Sequence, residues 1–80
     1  MLMTKPVLTD LQRLLLEALR KSGDWLTRPQ IADAIQRESR LNPHDVNMLN
    51  ELAKMGLIEI DERIVGTVRK QYFYRAVRQD

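Results

Sequence analysis

The sequence predicts a small α+β domain: three amphipathic helices followed by a C-terminal β-hairpin. Apolar residues recur at spacings of three and four up to Gly56, and a capping signature opens each of those runs. Beyond Gly56 the period changes to two, and β-branched and aromatic residues dominate. Eighty residues carry this pattern once, without an internal repeat, so the chain reads as a single domain over 1–80 with an ordered core at about 8–77.

Thr9 followed by Gln12 forms a capping box, and Leu11, Leu14, Leu15, Ala18 and Leu19 supply the apolar stripe. Helix 1 is predicted from about Asp10 to Lys21, with Gly23 as its C-terminal cap. Asp24, Trp25 and Leu26 suit a brief strand that adds to a sheet formed elsewhere. Thr27 and Gln30 repeat the box with Pro29 in the first turn, and Ile31, Ala32 and Ile35 give the buried stripe of a helix 2 from about Arg28 to Arg37. Asn42, Pro43 and Asp45 form the strongest helix start in the chain. Helix 3 runs from about Pro43 to Met55 on Val46, Leu49, Leu52 and Ala53, closed by Gly56 with Leu57 folding back on Leu52. Leu57 to Ile60 and Gln71 to Val77 read as an antiparallel pair, with Tyr72, Tyr74 and Ala76 on one face and Phe73, Arg75 and Val77 on the other. Asp61 to Lys70 is expected to form a long mobile tip around Gly66.

Composition excludes several function classes. With no cysteine and one histidine, His44, thiolate zinc sites, disulfides, His-based metal centres and nucleophile triads fail at the counting stage. Asp61 and Glu62 are adjacent at a predicted strand end and face opposite ways, so they cannot share a substrate. No Gly-rich phosphate loop is present. The chain is expected not to be an enzyme and to need no cofactor or metal. It shows no signal peptide pattern and no apolar run long enough to span a membrane, and a cytoplasmic location is expected.

The order helix, short strand, helix, helix, strand, strand resembles the winged helix-turn-helix family of DNA-binding domains. The residues that carry it are Leu-Thr-Arg-Pro-Gln-Ile-Ala at 26–32, Asp45-Val46 with Leu49 and Leu52, Gly56-Leu57-Ile58-Glu59 opening the wing, and Tyr72-Phe73-Tyr74-Arg75 closing it. The resemblance covers about Leu8 to Val77. It implies a three-helix unit with a β-hairpin wing that binds double-stranded DNA as a sequence-specific transcriptional regulator, helix 3 in the major groove and the wing on the phosphate backbone. Two features depart from the family: the helix 2 to helix 3 linker is several residues longer, and the outward face of helix 3, read as Asp45 and Glu51 against Lys54, is not basic.

Positive charge lies elsewhere. Residues 1–27 hold four bases and three acids, residues 28–60 four and five, and residues 61–80 five and three. Arg28, Arg40, Lys54, Arg63, Arg69 and Lys70, with Arg75 and Arg78, are therefore the candidate phosphate contacts. His44, Asn47, Asn50 and an outward Met48 are the candidate base contacts, Met48 against a thymine methyl or a partner protein. Each also has a plainer reading: Asn47 and Asn50 as solvated polar residues, His44 as a surface residue, and Arg69 and Lys70 as loop solubility. Trp25, Tyr72, Phe73 and Tyr74 read as core and sheet-packing aromatics rather than a base-stacking platform.

The alternative function is a protein-interaction module that uses the weakly acidic helix 3 face, with Met48, Asn50 and Glu51, because fold does not fix function. A homodimer would have to form through Met1 to Leu8, helix 1 or the sheet edge. Asp45-Val46-Asn47 faintly resembles the Z-DNA-binding winged helices, but Glu51 stands where that family has an aromatic and the wing lacks its proline pair.

Overall fold

The computed structural model describes residues 7–38 and 40–78. Helix α1 spans Asp10–Ser22, strand β1 Leu26–Thr27, α2 Arg28–Ala34, α3 Pro43–Lys54, β2 Ile58–Val65 and β3 Arg69–Ala76. The segment 1–6, named above for self-association, lies outside the described residues.

All three helices open with a reciprocal capping box. Thr9 pairs with Gln12, Thr27 with Gln30 and Asn42 with Asp45, each side chain accepting from the other residue's backbone N–H. The helix ends divide differently. Gly23 and Gly56, at φ +70° and +77°, close α1 and α3 in the left-handed conformation. At Gly56 the Leu57 amide donates to the Leu52 carbonyl at 3.0 Å and the Gly56 amide to Ala53 at 3.0 Å. Helix α2 stops three residues before the predicted Arg37. Gln36 takes φ +62°, its amide donates to Asp33 at 3.1 Å and the Arg37 amide to Ala32 at 2.8 Å. That is the same closing motif built on a residue with a Cβ, which sequence patterning does not announce.

The sheet has the order β1-β3-β2 and is antiparallel throughout. Strands β2 and β3 pair from Ile58↔Ala76 out to Val65↔Arg69, which leaves only Gly66 to Val68 as the turn. The expected long mobile tip is therefore an error: the ribbon stays paired almost to its end. It escaped the reading because both its faces are solvated, so the apolar alternation of a half-buried strand is missing.

Tyr74, Ile58, Leu26 and Ile60 face the helices from the sheet, and Leu15, Leu19, Ile31, Leu49 and Leu52 meet them in a single core. Tyr74 is fully buried at its centre. Its hydroxyl reaches the rim, where it accepts from Arg28 Nε at 2.9 Å. The eight-residue connection from α2 to α3 is anchored by Leu41, 8% exposed, and by a two-pronged pair from Arg37 to Asp45 at 3.1 and 2.8 Å.

Candidate nucleic-acid interface

Helical spacing places Pro43, Asn47, Asn50 and Lys54 in one row along the solvent side of α3, with His44 and Glu51 beside it; all six are exposed. Asp45 does not belong to that face. It is fully buried, its Oδ2 accepts from the Asn42 amide at 3.0 Å, and both oxygens accept from Arg37. Removing it from the outward face leaves Lys54 against Glu51, so the face is neutral rather than acidic. Met48 also turns away from the position predicted for it. It is half-buried against the core, with its sulfur 4.0 Å from the Thr9 hydroxyl at the start of α1.

Burial opposes the charge on Asp45. The hydrogen bonds from Arg37, that from the Asn42 amide and the nearby positive charges of Arg37 and His44 outweigh it, so the carboxyl ionises below its ordinary range. The hydrogen bonds to Asp45 and its charge raise the Arg37 guanidinium in turn.

Two grooves meet at the first turn of α2. One, about 920 Å³, is walled by Arg28, Pro29, Arg40 and Leu41 on one side and by Asn42, Pro43, Val46 and Asn47 on the other. The second, about 360 Å³, runs from the same Arg28 and Pro29 to Val65, Arg69, Lys70, Gln71 and Tyr72 of the wing. Arg28 and Pro29 are the wall common to both parts of this channel, and Arg28 is held in place twice. Its Nε donates to Tyr74, and its guanidinium lies 4.4 Å from the Tyr72 ring centroid. The channel thus unites Arg40, Arg28, Arg69 and Lys70 with Asn47.

Other predicted cations lie elsewhere. Arg63 is on the opposite face of the ribbon, paired to Asp61 at 2.7 Å and stacked 4.2 Å from the Phe73 ring. Arg75 shares that face, paired to Glu59 at 2.8 Å and stacked 4.4 Å from Trp25. Arg78 lies with Arg20 in a cleft at the base of the hairpin, and Lys54 and Asn50 line neither groove of the channel. Lys70 reaches Glu62 at 3.2 Å, but this exposed pair is cheaply exchanged for another anion. Sequence reasoning missed Tyr72 and Pro29 as walls of the channel; the signal for Tyr72 was its shared face with Tyr74 at the end of the buried sheet. Among the described residues no group of three or more acidic or histidine side chains is placed to hold a metal, and no helix is long and apolar enough to cross a membrane.

Three helices, a three-stranded antiparallel sheet and a projecting hairpin together define a winged-helix-like domain. A solved structure of HOP2, from work on its DNA recognition and protein interaction domains and its homologous DNA pairing, has a similar fold, at a TM-score of 0.60 with 24% identity over 84% of this chain and 98% of that one. No family model matches the chain, and no curated protein matches it.

Proposed function

We propose that the protein binds duplex DNA in a sequence-dependent way and acts as a small cytoplasmic transcriptional regulator through occupancy of its site, without chemistry of its own. The observation that carries this reading is the pair of grooves that share Arg28 and gather Arg40, Arg69 and Lys70 beside the polar row on α3. The HOP2 structure, described through DNA recognition, supports it by fold. The α3 row enters the major groove, where a carboxamide such as that of Asn47 or Asn50 can pair with both N6 and N7 of adenine. The channel cations take the flanking phosphates and fix the register.

The neutral α3 face favours a second reading, in which that face binds a protein. Titration with random-sequence duplex across a salt series separates the two. Arg40→Ala with Arg69→Ala is expected to weaken binding to every sequence and to reduce the slope of log K against log salt by about 0.9 for each lost phosphate contact. No measurable affinity of the intact protein at low salt would leave only the protein-binding reading.

A further inference from the structure

We propose that the tip of the wing is an apolar wedge that enters the minor groove beside the α3 site and bends the duplex there. The inference rests on the DNA-binding reading above and goes beyond it, since neither phosphate contact nor major-groove readout needs a deformed duplex.

Val68 in the turn is 87% exposed, and Ile64 at 73% and Val65 at 46% flank it on the two faces of the last two ribbon pairs, so three of the six large hydrophobic residues standing in solvent among the described residues lie at this end of the ribbon. The ribbon carries them clear of the body. Beyond the Glu62↔Tyr72 pair, three further pairs continue to Val65↔Arg69, which at about 3.3 Å per residue sets the turn roughly 10 Å farther out. No core residue comes from this stretch.

Charge selects the occupant. Residues 63–70 contain Arg63, Arg69 and Lys70 and no acid, so the apolar tip is presented within a collar of positive charge. A second copy meeting it tip to tip would oppose like charges. A minor groove answers both properties, with phosphates along its rims and sugar and base surfaces on its floor. The tip is also continuous with the channel, because Val65, Arg69 and Lys70 line the same groove as Arg28. Apolar side chains forced against a base step unstack it and turn the helix away, and the extra protein surface brought into contact offsets that cost. Flexible pyrimidine–purine steps lower it further.

The test uses the full chain and two duplexes end-labelled with a donor and an acceptor, one with a central TA step and one with a stiff A-tract. Wild type is expected to raise transfer efficiency on binding and to prefer the TA duplex. Val68→Ser, alone and with Ile64→Thr, is expected to leave the duplex straight and to weaken binding by about tenfold, the worth of one buried aliphatic side chain. The salt slope should remain that of wild type, because no cation is removed, and unchanged melting of the free variants confirms that the exposed substitutions leave the fold intact. A straight duplex in the wild-type complex overturns the wedge while leaving DNA binding standing, and so does equal bending by Val68→Ser. DNA-free self-association that Val68→Ser abolishes would overturn it by making the tip a protein contact. Absence of any duplex binding would sink the DNA reading and the wedge together.

Discussion

Asp45 does two jobs with one carboxylate: it completes the N-terminal cap of α3 and ties Arg37, at the end of α2, to that helix. Because its folded-state pKa is depressed, the stability it contributes is complete above the ordinary carboxylate value of about 3.9 and is lost as pH falls through the lower folded value. Urea midpoints measured from pH 7 down to pH 2.5 should therefore decline in wild type, and Asp45→Asn should flatten part of that decline. Asp45→Ala is expected to cost about 2–3 kcal/mol at pH 7, from a lost cap and an unpaired neighbour. Gln36 gives the opposite opportunity. Its φ of +62° is strained for a residue with a Cβ, so Gln36→Gly should stabilise by about 0.5–1 kcal/mol and raise Tm by a few degrees. A lowered Tm would mean that its side chain makes a contact worth more than the strain.

At the scale of elements, helix starts were legible and helix α2's end was not. A capping box is written in side chains, whereas the left-handed residue that ends α2 is Gln36, which carries no such signature, and the contacts that follow it, Leu41 in the core and Arg37 on Asp45, lie beyond the helix. Wing length was hidden for a related reason, since a ribbon wet on both faces carries no apolar period. The same wetness sets its dynamics. Amides from Arg63 to Gln71 should exchange with solvent far faster than those around Leu49 and Tyr74, because no buried apolar contact must be broken to open them. Comparable protection in the two regions, measured by native-state exchange, would show the ribbon to be part of the cooperative core.

For the molecule as a whole, counting charge along the chain puts the basic excess in the last quarter, residues 61–80, but folding sends those cations to separate places. Arg63 and Arg75 stack on the aromatic outer face of the sheet beside Asp61 and Glu59, Arg69 and Lys70 line one of the two grooves that share Arg28, the other holding Arg40, and Arg78 lies in the cleft at the base of the hairpin. Register alone does not sort them, since the Val65↔Arg69 pair falls on the same ribbon face as Arg63 and Arg75; Arg69 lines the groove beside Arg28 because it sits at the end of the ribbon. The division predicts that Arg63→Ala leaves the salt slope of duplex binding unchanged, in contrast to Arg40→Ala; equal effects would place the duplex across both sides of the ribbon.

The bond between Tyr74 and Arg28 joins the buried core of the protein to the edge where its grooves meet. Whatever occupies that edge is mechanically coupled to the oil drop beneath it, so saturating duplex should be legible as a delayed thermal transition, by about 2.7 kcal/mol at a hundredfold excess over Kd. Cutting the tether with Tyr74→Phe should soften the empty protein by about 1 kcal/mol and let the guanidinium swing. Arg28 would then have to be ordered anew by each ligand, and a rigid finger on the rim would become a loose one.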